Sequence, residues 1–174
     1  PRKQICFICR RFDPDRIAAI KEQYGPSIFI TCGKSASLLN IQVDNYKGTI
    51  FATSGINITA TGNATVVQLP VETFDTHNYL AASDIVIAKA GWGTISEALL
   101  SKRNLVLIER EGVLEDTEDI EELKRRGVAV SIKESDLARI DMNTIRDLIA
   151  EKIVRENLDA YQNAVEDIIQ ALYI

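Results

Sequence analysis

The sequence predicts an α/β fold, a doubly wound parallel sheet in a single domain, and three observations predict it. The first is a junction in the middle of the chain. Ile85, Val86 and Ile87 form a short apolar run of the kind that makes a buried strand. The run meets Gly91-Trp92-Gly93-Thr94, and Ile95-Ser96-Glu97-Ala98-Leu99-Leu100 follows with helix formers at a helical apolar spacing. The second is that short apolar runs alternate with helical stretches elsewhere, the pattern of strands joined in parallel by crossovers. The third is size: 174 residues, 46% of them apolar and 26% charged, suit one α/β unit with a sizeable core and a solvated surface.

The elements follow in order. Asp13 reads as an N-cap with Pro14 at the first helical position, opening a helix over Pro14–Tyr24 that Gly25 and Pro26 end. Residues 28–32 are the first core strand and Gly33-Lys34-Ser35-Ala36-Ser37 its loop. Ser35 or Ser37 caps a helix expected through Leu38, Leu39 and Ile41. Residues 49–53 and 65–69 are further strands, and the polar, β-branched stretch 57–63 between them is either a ragged edge strand or a loop. Thr76–Ala82 reads as a short helix leading to the central strand, and helices are expected on both faces of the sheet. Beyond the junction, residues 105–108 form the next strand. Ile120 and Leu123 set the apolar stripe of a helix on which Glu121 pairs with Arg125 and Glu122 with Arg126. Gly127 stops that helix before the strand at 128–132, and two helical stretches finish the chain, the last carrying Leu158, Tyr161, Val165, Ile168 and Leu172.

The junction carries the chemistry. Glycine lets backbone come close to a ligand because it has no Cβ. A helix start presents unpaired N–H groups and the positive end of its dipole. A strand, a glycine turn and a helix start in succession therefore make an anion site, with a nucleoside diphosphate as its usual occupant. The spacing is neither the dinucleotide fingerprint nor the phosphate loop of nucleotide hydrolases, and Lys89 precedes the glycines instead of following them. Glu97, a helical turn beyond Thr94, is placed either to accept hydrogen bonds from a ribose diol or simply to favour the helix dipole.

Other chemistry is thinly represented. A net charge of −5 argues against a nucleic-acid partner or an acidic membrane surface. No run approaches the roughly 20 apolar residues of a membrane helix. Cys6 and Cys9 share a C-x-x-C spacing, yet in an extended apolar run side chains three apart face opposite ways, which defeats a disulfide or a shared metal. With one histidine and no second cysteine pair, no metal is expected, and buried thiols suit a reducing cytoplasm. His77, that single histidine, is expected on a helix surface outside the edge loops, so the catalytic base is left unassigned.

Residues 79–137 resemble the C-terminal half of GT-B glycosyltransferases, closest to the family containing the bacterial peptidoglycan N-acetylglucosaminyltransferase. The matching residues are Asp84, Ile87, Gly91, Gly93, Thr94 and Glu97, then Asn104-Leu105-Val106-Leu107-Ile108-Glu109-Arg110 and the acidic Glu115-Asp116-Thr117-Glu118-Asp119. The Lys-x-Gly-x-Gly-Thr-x-Ser-Glu-Ala-Leu wording is also similar to the glycosyltransferase-like region of plant arabinokinases. The resemblance implies a Rossmann-like C-terminal half of a GT-B fold. Pro1-Arg2-Lys3-Gln4-Ile5 then resembles the segment that follows the N-terminal domain. Residues 1–26 are read as linker and leading helix, residues 27–174 as the nucleotide-sugar domain, with an acceptor domain upstream. The competing reading makes residues 5–8 an extra strand of a complete small domain; we take the linker.

The resemblance also implies a donor-binding set on three loops at the carboxyl ends of the strands, where open α/β sheets bind ligands. The first loop gives Gly33, Lys34 and Ser35, and the second gives Gly91, Trp92, Gly93 and Thr94, with Glu97 beyond. The third, residues 111–119, gives Thr117 and Glu118, where relatives often carry amides. Trp92 is either a wall for the nucleotide or a packing residue against the first helix; we take packing. The implied activity is transfer of a sugar from a nucleoside diphosphate, expected to be uridine-linked, to an acceptor on the missing domain. The nucleotide sugar is the substrate and no further cofactor is implied. Any membrane association of the parent protein is not encoded in this chain. The alternatives are a sugar-nucleotide-binding or regulatory domain without turnover, and a nucleotide-sugar epimerase on the same two-domain fold.

Overall fold

A computed structural model of the chain describes residues 7–33, 39–162 and 164–165. Eight elements build the first half: α1 (Pro14–Tyr24), β1 (Ser27–Thr31), β2 (Leu39–Asp44), β3 (Gly48–Ala52), β4 (Ile56–Ala60), β5 (Ala64–Gln68), α2 (Thr76–Ala82) and β6 (Ile85–Lys89). The second half holds α3 (Trp92–Leu100), β7 (Asn104–Glu109), α4 (Leu114–Arg125), β8 (Ala129–Lys133), a 3-10 turn (Glu134–Ala138), β9 (Arg139–Asp141), α5 (Met142–Lys152) and α6 (Arg155–Leu158).

The main sheet has six strands in the order β5-β3-β1-β6-β7-β8, and every pairing is parallel. The chain builds outward from β1 through β3 to β5, then returns to the middle and builds outward from β6 through β7 to β8. Its direction of travel therefore reverses between β1 and β6, the place where doubly wound sheets open a crevice. Thr31 stands level with Ala88, Lys89 with Ile108 and Glu109 with Lys133, so the carboxyl ends of these four strands form one edge.

Alternation along each strand sorts the core into two layers. Phe29, Phe51, Val86, Leu105 and Leu107 point to one face and pack on Ile20 of α1, Leu80 of α2, Ile95 and Leu99 of α3, and Ile120 and Leu123 of α4. Phe51 is fully buried and meets Tyr24 and Tyr79 edge-on, with ring centroids 5.0 and 5.1 Å apart. These two pairs tie α1, β3 and α2, each at about 0.5–1.5 kcal/mol beyond the area they bury.

Ile28, Ile30, Ile50, Ile85, Ile87, Val106 and Ile108 point to the other face. Here the structure corrects the sequence reading. The expected helix through Leu39 and Ile41 is strand β2, while Leu38 and the capping serines lie outside the described residues. The stretch left open at residues 57–63 supplies strand β4. β2 pairs in parallel with β4 and β9 to make a second sheet of three strands, which shares this face with α5. Ile41, Val43 and Ile56 are buried against the main sheet, whereas Asn57 and Thr59 between the apolar positions of β4 face outward. The two crossovers on this side are thus made by strands, because the sequence there repeats every two residues.

Asp44 fastens the second sheet. Its Oδ1 accepts from Thr61 Oγ1 at 2.6 Å and from Gln42 Nε2 at 2.9 Å, and its Oδ2 accepts from Arg139 Nε at 2.5 Å. These donors hold its carboxyl down at about 2.

Residues 7–13 carry no helix or strand and cross over α2 and α3. Asp13 caps α1, accepting from the N–H groups of Asp15 and Arg16, with Pro14 as the first helical residue. Two further expectations change. His77 is buried in α2 instead of lying on a surface; its Nε2 meets Arg11 O at 3.0 Å and its Nδ1 has no partner. On α4, Glu121 pairs with Lys124 and not Arg125, while Glu122 takes both Arg125 and Arg126.

Candidate functional site

The junction read from the sequence stands at the point where the sheet reverses direction. β6 ends at Lys89, Gly91 is the N-cap of α3, and Trp92 is its first residue. The N-cap is a glycine and the first turn holds no acidic residue, so the helix start is supplied with neither a capping oxygen nor a charge from its own sequence.

The two glycines of the junction are not explained by the protein around them. Gly91 has φ −110° and ψ 127°, ordinary extended backbone, and Gly93 lies inside the helix. A Cβ at either position would meet no neighbouring atom of the described residues within 4 Å. Glycine in a helix costs up to about 1 kcal/mol against alanine, so its presence at Gly93 is a cost without a structural return. What it leaves is space directly over the helix start.

Gly33, at the end of β1, has φ +69° and faces the same crevice. Its α-carbon lies so close to the Lys89 side chain that a Cβ would come within 2.7 Å of Lys89 Cε and 3.1 Å of Nζ. The crevice therefore carries a lysine across its floor, between the first loop and the second. Lys34 and Ser35, the other candidates of the first loop, lie outside the described residues. Cys32, next to Gly33, is buried, and burial raises its thiol pKa against the opposing fields of Lys89 and Arg110. Cys9 is pushed up to about 11 by burial and by the Glu97 charge. Both thiols stay protonated near neutrality. Among the described residues no group of three metal-ligating side chains comes together, and no helix is long and apolar enough to cross a membrane.

The third loop is shorter than the sequence reading. α4 begins at Leu114, so Thr117 and Glu118 sit in the opening turns of a helix, both exposed. Thr117 Oγ1 donates to Val113 O at 3.2 Å. Arg110 approaches Asp116 with Nε and Nη2, each 2.6 Å from Oδ2, and the Asp116 side chain is only 7% exposed. This pair closes the loop and neutralises one of the carboxylates that the acidic run places there. Thr117 lines a cleft of about 560 Å³ with Arg110, Glu111, Lys133, Glu134 and Ser135, at the ends of β7 and β8.

Trp92 is 57% exposed and packs on Phe7, with ring centroids 5.2 Å apart, and not on the first helix. With Phe7, Ile95, Ser96, Leu123 and Tyr161 it lines a second cleft of about 750 Å³ between α3 and α4. Glu97 lies further along α3 with its side chain 13% exposed, and its partner is Arg10, 2.9 Å away. The structure thus gathers Gly33, Gly91 and Gly93 at one crevice, sets Glu97 on the helix beside it, and puts Thr117 and Glu118 beyond β7, the strand next to the junction strand. Sequence reasoning passed over Lys89, although its place at the end of the junction strand was visible. It had no local signal for Arg10, which lies 87 residues from Glu97.

Comparison with known proteins agrees with this architecture. No curated protein matches the chain. Among solved structures, glycosyltransferase SnogD from Streptomyces nogalater is 16% identical with a TM-score of 0.56, over 85% of this chain and 43% of that one. Glycosyltransferase VinC, in complex with dTDP, is 14% identical with a TM-score of 0.56, over 94% of this chain and 44% of that one. The spinosyn forosaminyltransferase SpnP is 13% identical with a TM-score of 0.56, over 99% and 50%. At such identities the likeness is one of fold, and the chain spans half or less of each structure. The model of the glycosyltransferase family 28 C-terminal domain matches residues 27–172, and with the GT-B architecture now in view the chain belongs to that family.

Proposed function

We propose that this chain is the donor-binding half of a glycosyltransferase that takes a sugar from a nucleoside diphosphate, UDP first, and passes it to an acceptor held by a domain upstream. The observation that carries the reading is the space that the described residues leave at Gly91 and Gly93, over a helix start whose N-cap is glycine. Backbone N–H groups there are suited to the leaving diphosphate, where they stabilise charge as the sugar bond breaks. Lys89 adds positive charge beside them. Glu97 is the candidate for the ribose hydroxyls, and Thr117 and Glu118 for the sugar.

An upstream domain is supported by the apolar side chains on the carboxyl edge. Phe74 is 87% exposed, Leu114 82%, Val71 65% and Trp92 57%. All four sit just beyond a strand's carboxyl end, on the side that the crevice faces. Exposed apolar residues gathered on one side mark a contact surface. The dTDP bound in the VinC structure keeps the base open, so the test compares bases.

Titration calorimetry of the chain with UDP, dTDP and inorganic diphosphate tests the proposal. All three are expected to bind weakly, UDP best, with no sugar transfer by the 174-residue chain and at most slow donor hydrolysis. Glu97→Ala is expected to weaken UDP while leaving inorganic diphosphate nearly unchanged. No binding of any of the three overturns the donor reading, and transfer by this chain alone overturns the division of labour between two domains.

A further inference from the structure

We infer that Arg10 is a positioning residue for Glu97, fixing one oxygen of that carboxylate so that the other is presented to the hydroxyls of a nucleoside ribose. The inference rests on the donor reading above. It starts from the partial burial of Glu97: at 13% side-chain exposure the carboxylate has lost much of its water, and a charge in that state requires a partner. No residue of α3 supplies one; Arg10 reaches it from the irregular segment before α1. Nε and Nη2 of Arg10 lie 3.0 and 2.9 Å from Glu97 Oε1.

The guanidinium is itself fixed. Nη1 donates to Phe74 O at 2.7 Å and Nη2 to Thr76 Oγ1 at 3.3 Å. All three nitrogens of a rigid planar fork are thus engaged, on α3, on the turn after β5 and on α2, so the fork has one orientation. Both contacts to Glu97 fall on Oε1. Oε2 takes no hydrogen bond among the described residues, so it is the oxygen left to a ligand. One oxygen is committed to the protein and the other is held open.

The position of Arg10 gives this arrangement a consequence. Residues 7–13 have no helix or strand to fix their path, and Arg10 is the side chain through which they touch Glu97. The path of that segment therefore sets the orientation of the ribose acceptor. Arg10 is 49% exposed but Glu97 only 13%, so removing Arg10 leaves a half-desolvated carboxylate unpaired and costs some stability; the diol dependence of binding, and not the thermal midpoint, separates its role from a structural one.

The experiment uses the full chain and three probes: UDP, its 2′,3′-dideoxy counterpart and inorganic diphosphate, titrated by calorimetry. In the wild type the diol is expected to raise affinity about tenfold or more, as hydrogen bonds to a charged group do. Arg10→Met is expected to bring the UDP to dideoxy-UDP ratio close to one, with affinity for the dideoxy and inorganic probes unchanged and the thermal midpoint modestly lowered. In a Glu97→Ala background it is expected to do nothing further. Arg10→Lys, which keeps the charge and loses the fork, is expected to give an intermediate ratio. An unchanged ratio in Arg10→Met, where Glu97→Ala collapses it, overturns the role of Arg10 and leaves the donor reading standing. Equal losses on all three probes also overturn it, in favour of a purely structural pair. A wild type that ignores the diol, or binds no UDP, overturns the ribose assignment on which the inference rests.

Discussion

Gly33 and Lys89 occupy one piece of space: the lysine side chain lies where a Cβ of residue 33 would stand, 2.7 Å from Cε. They come from the ends of adjacent strands, β1 and β6, either side of the point where the sheet reverses. Gly33→Ala therefore does two things. It puts a side chain on a residue at φ +69°, costing about 1–2 kcal/mol, and it drives Lys89 from the crevice floor. A lowered urea midpoint and weaker binding of inorganic diphosphate are expected. A lowered midpoint with unaltered diphosphate affinity would remove Lys89 from the site.

Gly93→Ala is expected to move stability and binding in opposite directions. Its Cβ meets nothing among the described residues, and alanine is the better helix former by up to about 1 kcal/mol, less near a helix end. The ligand-free protein should melt at a higher temperature. The same methyl group occupies the space over the helix start, so affinity for UDP should fall. Thermal scans with and without nucleotide read both effects at once, and a variant stabilised with full affinity would mean that no ligand approaches this backbone.

His77 is expected to matter for folding and not for the ligand. Its Nε2 donates to a backbone oxygen, and its buried Nδ1 has no hydrogen-bond partner among the described residues. Its ring also neighbours Phe12, with centroids 6.0 Å apart. His77→Ala loses the bond and the packing, at about 1–2 kcal/mol, partly offset by removal of the unpaired nitrogen. Chemical denaturation should show that loss while calorimetry shows UDP affinity unchanged. A selective loss of affinity would bring His77 into the site.

Acid should loosen the second sheet. Asp44 is held at about 2 in the folded chain by Thr61, Gln42 and Arg139, and Asp141 is also lowered, chiefly by Asn45. A carboxylate with a depressed folded pKa contributes stability that is full above its unfolded value, about 4, and is lost as pH falls toward about 2. Wild type should lose stability across that window. Asp44→Asn should be less stable at neutral pH and vary less with pH between about 4 and 2. Amide exchange at β2 and β4 should rise across that window in the wild type and change less in Asp44→Asn; an equal rise in both would contradict it.

Several parts of this protein were settled by the order of residues alone. Asp13-Pro14 started α1 where a cap and a proline require it, and α2 ran over the span its composition marked. The strand, glycine and helix of the junction formed as read, because each is a local preference: a β-branched run, a residue without a Cβ, a helical apolar spacing. The parallel sheet followed from the alternation of such units. Tertiary structure decided the rest. β2 carries a two-residue alternation over Leu39–Asp44 that the helix reading passed over, but its partners β4 and β9, the latter nearly a hundred residues away, are set by the tertiary structure. Pairing of that range has no period for a local pattern to display. His77 looks like a surface residue until residues 11 and 12 fold over it. Glu97 looks like a carboxylate awaiting a ligand until Arg10 takes one of its oxygens. A charge pair between distant segments exists only once the packing of both has brought them together, so no window of sequence contains it.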